Sequence, residues 1–259
     1  MNPIASTLFD VRGKVALVTG ASSGLGEHFA LTLAASGAAV AVAARRLDRL
    51  EALVTRITGE GGKAVAVPLD VTDPASVAAA FEQAAGTLGA PDIVVNNAGI
   101  AQTKAALELT DEDWRRVMDT NLDGAWRVAR AAARAMTGAG KGGSVINIAS
   151  ILGLRVASHL LAYNAAKAAL IHATQALALE WARHRIRVNA IAPGYVETGI
   201  NKGFFATEAG QAMVRRVPQR RIGMPAELDG ALLLLASDAG SYMTGSVLVV
   251  DGGHLVSSL

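Results

Sequence analysis

The 259-residue chain contains no cysteine, which excludes disulfides, thiolate nucleophiles and cysteine-based metal sites. Aromatic residues are scarce at 4%, whereas hydrophobic residues together reach 51%. The core must therefore come from Ala, Val, Leu and Ile, as in buried parallel strands closely packed by helices. Neither sign of charge dominates: the net charge is +2 and the sequence pI about 9.1. Basic residues form no stripe interleaved with aromatics, so no nucleic-acid partner is expected. The densest basic stretch, Arg215 to Arg221, reads as solvated surface. No apolar run reaches the ~18 residues of a membrane span, and the first twelve residues lack the basic start and apolar middle of a leader. The expectation is a cytoplasmic protein without a membrane partner. The five His residues form no H-E-x-x-H or similar cluster, so no metal is expected.

What is present is alternation. Short apolar runs at Lys14–Thr19, Ala39–Ala44, Lys63–Leu69, Ile93–Asn96, Ser144–Ala149, Arg187–Ala192 and Ser246–Val250 are separated by helical patterns, the signature of repeated βαβ units. One helical pattern runs from Asp111 to about Met136, its apolar stripe including Trp114, Val117, Met118, Leu122, Ala125, Val128 and Ala132 and expected in the core. Another, from about Leu161 to His184, carries Ala or Leu on nearly every face, which predicts packing against the sheet on one side and a second subunit on another. No linker divides the chain, so one domain spanning 1–259 is expected, with 195–221, where the strand pattern stops, as a mobile lid.

Three local patterns carry chemistry. Tyr163 and Lys167 are four residues apart in an Ala-rich helical stretch, so their side chains share one face. An ammonium beside a phenol favours the phenolate and brings the ordinary Tyr pKa of ~10 toward neutrality. Strand Lys14–Thr19 leads through Gly20, Ser22, Ser23, Gly24, Leu25 and Gly26 into a helix, the arrangement that cradles a pyrophosphate on unpaired N–H groups and the positive helix end. The spacing is G-x-x-x-G-x-G rather than the usual G-x-G-x-x-G, and no Lys-Ser or Lys-Thr of a P-loop follows. Ser150 ends a strand thirteen residues before Tyr163 but lacks a G-x-S-x-G elbow, which weakens an acyl-transfer reading.

Thr19 to Gly26, Asn96-Asn97-Ala98-Gly99, Ser150, the Tyr163/Lys167 pair and Pro193-Gly194 together resemble the short-chain dehydrogenase/reductase family, over nearly the whole chain and in order. The resemblance implies a single-domain, doubly wound α/β (Rossmann) fold with a seven-stranded parallel sheet flanked by helices, binding a nicotinamide dinucleotide. It implies an oxidoreductase that interconverts a small-molecule carbonyl and its alcohol, with Ser150, Tyr163, Lys167 and Asn121 as the catalytic set. Ser150 would bond the substrate oxygen, Tyr163 exchange its proton, Lys167 lower the Tyr163 pKa and hold the nicotinamide ribose, and Asn121 help hold a water. Asp70 and Val71 would meet the adenine, Asn96, Asn97, Ala98 and Gly99 the cofactor-side backbone, and Pro193, Gly194, Val196 and Thr198 the carboxamide end. A homotetramer or homodimer is expected.

Cofactor choice turns on the end of the second strand, where an acid would accept from the NAD ribose and a cation would meet the NADP 2′-phosphate. Ala44-Arg45-Arg46 stands there, so NADP(H) is preferred, with NAD(H) possible. The expected substrate pocket comprises Ser150, Leu152, Tyr163, Tyr195, Phe204 and Phe205, extended by Ile100, Ala101, Ile151 and Leu154, with Arg155, His159 and Lys202 near a polar tail. Its apolar character favours a ketone or secondary alcohol of moderate size. A 3-oxoacyl thioester is a candidate, although the stretches Ala101-Gln102-Thr103-Lys104 and Arg155 to His159 depart from that subgroup's pattern. The alternatives are an NAD-dependent alcohol or sugar dehydrogenase of the same family and a catalytically silent dinucleotide sensor.

Overall fold

The computed structural model describes residues 8–197, 202–205 and 207–257. Seven strands, β1 (Val15–Thr19), β2 (Ala39–Ala44), β3 (Lys63–Pro68), β4 (Ile93–Asn96), β5 (Gly143–Ile148), β6 (Ile186–Pro193) and β7 (Val247–Val250), form one sheet in the order β3-β2-β1-β4-β5-β6-β7. Every neighbouring pair is parallel. Leu17 pairs with Ala41 on one side and Val94 on the other. The chain therefore winds outward from β1 to β3 and then returns to β4 to wind the opposite way. The carboxyl ends of β1 and β4 diverge at that reversal, where open α/β sheets keep their ligand crevice.

Period-two alternation divides each strand between two cores. Ala16, Val18, Val40 and Val42 face one cluster with Phe29 and Leu33 of α1 (Gly24–Ala35), Leu50 and Ile57 of α2 (Leu47–Gly59), and Leu232 and Leu235 near the C-terminal end. Leu17, Ala41, Ala43 and Val94 face the other, with Val77 and Phe81 of α3 (Pro74–Leu88) and Val128, Ala132 and Met136 from the long central helical region. Helices thus cover both faces of a doubly wound sheet. Small Ala side chains on the strands allow this close approach, which is why so few aromatics suffice.

The strand positions agree with the sequence reading to within one or two residues. The helical pattern from Asp111 does not form one rod. It divides into α4 (Asp111–Met118), a π turn at Asp119–Asp123 and α5 (Gly124–Gly138), with the Gly124 N–H reaching back to the Asp119 carbonyl. Thr110 and Asp113 close a capping box at the entry to α4. Trp114, expected in the core, is 36% exposed, and Trp126 on α5 is 43% exposed. Trp114 thus leaves the interior to which the helical pattern assigned it.

α6 (Leu161–Trp181) continues into a 3₁₀ turn at Ala182–His184. The described part of 195–221 holds two short helices, α7 (Lys202–Phe205) and α8 (Glu208–Val214), followed later by α9 (Asp229–Ala236). Its base is anchored: the Glu197 N–H bonds the Gly223 carbonyl at 2.8 Å and the Gly223 N–H bonds the Tyr195 carbonyl at 2.9 Å. Among the described residues, no helix is long and apolar enough to cross a membrane.

Candidate active site

A cleft of about 1060 Å³ opens at the carboxyl ends of the central strands. Gly20 and Gly24 have φ of +67° and +60°, the left-handed region that favours glycine. Gly26 serves a different need. A Cβ there would run into the Gly20 carbonyl oxygen and lie 2.5 Å from Asn97 Nδ2, so the start of α1 packs directly on the turn. Gly26 is not on the cleft wall, whereas Gly20, Ser22, Ser23, Gly24 and Leu25 are. Ser23 stands at the N-cap without its side chain capping the helix. The first-turn N–H groups and the positive helix end therefore remain available to an anion, which suits a dinucleotide pyrophosphate.

Thr19 organises the facing wall. Its Oγ1 accepts from the backbone N–H groups of Asn97 and Ala98, both at 3.0 Å, while Asn97 Nδ2 donates to the Thr19 carbonyl at 3.0 Å. Sequence reasoning gave Thr19 no role; a polar residue closing an apolar strand immediately before the glycines was the available signal. Asn96 points elsewhere. Its amide donates to Asn147 Oδ1 and the Ala125 carbonyl, and Asn147 donates to Thr174, which donates to the Leu170 carbonyl. This buried relay ties β4 and β5 to α6, the elements that carry the remaining site residues.

Arg46, one of the two expected cations, builds the far end. Its Nη2 donates to Ser22 Oγ at 2.9 Å and Ser23 Oγ at 2.8 Å, joining the end of β2 to the Gly-rich turn. Arg45 and Arg46 both line the cleft, and Ala44 leaves no carboxylate beside them. Asp70 lines it too, its Oδ1 accepting from the Thr72 hydroxyl at 2.7 Å and the Thr72 N–H at 2.9 Å. Those bonds hold its carboxyl below the usual range, with a smaller contribution from the Arg45 charge. Val71, Gly99, Pro193, Gly194 and Val196 complete this wall, and Arg116, Asp119 and Thr120, which the sequence did not single out, form its rim. Thr198 lies outside the described residues.

At the cleft's inner end, β5 delivers Ser150 and α6 delivers Tyr163 and Lys167. The turn between them is close-packed: a Cβ on Gly153 would approach the Lys167 carbonyl to 2.7 Å. Tyr163 and Ser150 line the cleft together, near enough for the Ser150 side chain to act on the Tyr163 pKa, and Ser150 Oγ accepts from the Leu152 N–H at 3.1 Å. Lys167 Nζ donates to the Ile148 carbonyl at 2.7 Å and stands 5.7 Å from the Tyr163 ring centroid. Asn121, in the π turn, accepts from the Ile100 N–H and donates to the Ile100 carbonyl, both at 2.8 Å. A Cβ on Gly99 would meet both Asn121 Oδ1 at 3.3 Å and Lys167 Nζ at 3.7 Å, so the two side chains come together beside that glycine. Asn121 thus fixes the backbone beside Lys167 without lining the cleft itself.

The electrostatics correct one expectation. Burial pushes the Tyr163 hydroxyl above its ordinary pKa, and the neighbouring Ser150 side chain offsets this only in part. Lys167, 4% exposed, is itself pushed down to about 8 by burial. Desolvation therefore outweighs the predicted lowering of Tyr163 by its neighbour's charge. The phenol is a protonated donor at neutral pH.

On the substrate side, Tyr195, Ile100 and Ala101 line the cleft with Ser150 and Tyr163. Leu152 and Phe205, expected there, are buried; Phe205 packs edge-on against Tyr195 with centroids 5.9 Å apart. Arg155 is committed to the His254 carbonyl and Ser257 Oγ, and His159 is exposed at φ +63°. The side chains of Phe204 and Lys202 lie outside the described residues. No cluster of three or more His, Asp or Glu side chains suited to a metal occurs among the described residues.

A profile of the family described as enoyl-(acyl carrier protein) reductase matches residues 20–254. The chain is 42% identical over 256 residues to the L-tagatose-forming galactitol 2-dehydrogenase of Cereibacter sphaeroides, covering 96% of this chain and 98% of that one. A crystal structure of a short-chain type dehydrogenase/reductase from Mycobacterium marinum superposes with a TM-score of 0.90 at 45% identity, over 95% of this chain and 97% of that one. The gluconate 5-dehydrogenase of Burkholderia cenocepacia J2315, solved with NADP and tartrate, superposes with a TM-score of 0.94 at 36% identity, over 98% and 100%. With coverage and identity of this order along the whole cleft-bearing sheet, the chain belongs to the short-chain dehydrogenase/reductase family, enzymes that act on CH–OH donors with NAD(P).

Proposed function

We propose that this chain is an NADP(H)-dependent enzyme interconverting a ketone and a secondary alcohol, with Tyr163 as the acid/base. The observation that carries the reading is the convergence of the Ser150 and Tyr163 hydroxyls and buried Lys167 on one end of the cleft. A nicotinamide dinucleotide, when bound, supplies or accepts the hydride. This chain's own residues handle the oxygen. Ser150 donates a hydrogen bond to it and Tyr163 gives up its proton as negative charge develops there. Because burial keeps Tyr163 protonated, reduction is favoured near neutrality and alcohol oxidation gains as pH rises. Lys167 and Asn121 hold the backbone at Ile148 and Ile100 on either side of the reacting volume.

Preference for NADP(H) over NAD(H) is supported by Arg46 bridging Ser22 and Ser23 with no carboxylate at the strand end. Gly20 to Leu25, Asp70, Val71, Asn97 to Gly99, Pro193, Gly194 and Val196 would hold the rest of the dinucleotide. A small ketone or secondary alcohol suits the mixed wall at Ile100, Ala101 and Tyr195; relatives named for galactitol and gluconate support an oxygenated substrate, and others of similar identity named as 3-oxoacyl-(acyl-carrier-protein) reductases keep a 3-oxoacyl thioester as the second candidate. Exposed Trp114, Trp126, Leu161 and Leu179 on α4 to α6 support association of identical subunits. The test is Tyr163→Phe. With NADPH and a ketone panel, kcat should fall by about 10²-fold or more while NADPH affinity is kept; near-normal turnover defeats the mechanism.

A further inference from the structure

The C-terminal turn is tied to the substrate side of the cleft in a way the proposed chemistry does not require. Tyr195 leaves β6 immediately after Pro193-Gly194 and stands on the same cleft wall as Ser150 and Tyr163. Its ring is held from two sides, by Phe205 edge-on and by His254 at a centroid distance of 5.2 Å and 39°. Its hydroxyl makes no hydrogen bond among the described residues. Burial also holds that phenol above its ordinary pKa despite Arg155 and Arg216 nearby, so it is a neutral donor.

His254 is 7% exposed, and its Nδ1 is buried without a partner among the described residues. The imidazole therefore serves as a packing face. The backbone around it is over-determined: its carbonyl accepts from Arg155 and from Ser257 Oγ, and Asp251 accepts from the N–H groups of Gly253 and Leu255. Arg155 belongs to the loop that begins at Ser150. Three segments distant in sequence thus meet at His254, the β6 exit on its ring and the Ser150 loop on its carbonyl, within the C-terminal turn.

We propose that Tyr195 recognises a second oxygen of the substrate, next to the reacting carbon, and that His254 is the residue that positions it. The inference deepens the dehydrogenase reading and rests on it. The half-buried phenol, lacking an internal partner, supplies a hydrogen bond that a substrate with two neighbouring oxygens can accept and a simple alcohol cannot. The His254 ring and the Phe205 edge limit where that hydroxyl can stand, which is how a side chain remote from the reaction sets substrate choice.

The probes are cyclohexane-1,2-diol and cyclohexanol, which differ by one hydroxyl. Binding of each to the NADP-loaded enzyme is measured by calorimetry and turnover by NADPH absorbance. The parent enzyme should bind the diol about tenfold more tightly, and Tyr195→Phe should bring the two alcohols together. His254→Ala should reproduce the loss through KM with kcat kept within about threefold, and His254→Phe, which restores a flat ring, should recover it. NADP affinity should be unchanged in all three variants. Equal binding of the two alcohols by the parent, or a diol preference that survives Tyr195→Phe or His254→Ala, overturns the inference. So does a His254→Ala enzyme that loses NADP affinity and kcat along with KM, since that pattern is a general structural defect. Binding without turnover of either alcohol, with both cofactors, counts against the dehydrogenase reading alone.

Discussion

Lys167→Met should make the protein more stable and inactive. The parent buries an ammonium whose pKa has fallen from the ordinary 10.5 to about 8, a difference equivalent to about 3 kcal/mol against the charged form. The hydrogen bond to the Ile148 carbonyl at 2.7 Å returns about 1 kcal/mol of that when charged, and Met forfeits it. Met keeps the chain length and the apolar contacts, so the net gain is about 2 kcal/mol, or roughly 5 °C in Tm for a chain of this size. The pH dependence gives the sharper reading. The folded pKa lies below the unfolded one, so between pH 8 and 10.5 the unfolded chain binds more protons and the stability of the parent rises with pH. The variant lacks this group. Its advantage should be full at pH 7 and should shrink as pH rises through 8 toward 10.5. Thermal denaturation of both proteins across pH 6 to 10.5, with activity measured alongside, checks this. A variant that melts lower at pH 7, or a Tm difference that does not change with pH, would refute the view that the lysine is held at a cost to the fold.

Two further outcomes follow from the cofactor end. Arg46→Met should weaken NADPH binding by about tenfold or more and leave NADH binding nearly unchanged, as read by fluorescence titration with each nucleotide; an equal loss for both would assign Arg46 a structural role only. Gly26→Ala should lower stability by about 1–3 kcal/mol and abolish nucleotide binding, because the new methyl meets the Gly20 carbonyl and Asn97 amide, neither of which is a flexible chain end; unaltered melting and binding would show that the turn can relax.

Much of this architecture was legible because parallel sheets write themselves plainly. The central strands are buried on both faces, so each appears as an apolar run such as Val15–Val18, and the helices between have their own period. The Gly-rich turn and the Tyr163/Lys167 spacing were legible for the same reason: both are local. What could not be read depends on who meets whom across the fold. Arg45 and Arg46 are adjacent in sequence, and only the direction in which α2 leaves β2 decides that Arg46 reaches Ser22 and Ser23. Leu152 and Phe205 carry the apolar character expected of a pocket, yet they spend it on packing behind Ser150 and Tyr195. The direction of the Tyr163 shift was missed because spacing reveals a charge four residues away but not how deeply both groups are buried. Arg155 was read as meeting a substrate tail, and nothing in the sequence joined it to the carbonyl of His254, ninety-nine positions away.

The extra residue at Asp119–Asp123 leaves this helical region one deletion away from conventional regularity. Excising one residue would let the Gly124 amide find a carbonyl one step nearer and fuse two helices into a continuous rod. The wide turn absorbs the extra residue, so the rows on either side would keep their facing and the change would fall on the turn itself, where Asn121 stands. Asn121 would swing off the Ile100 peptide that it grips at both ends, while the Val128 row stays on the sheet. Smoothing the backbone and keeping that grip are mutually exclusive, so a stabilising redesign that idealises this stretch should be expected to unhook the loop beside Lys167.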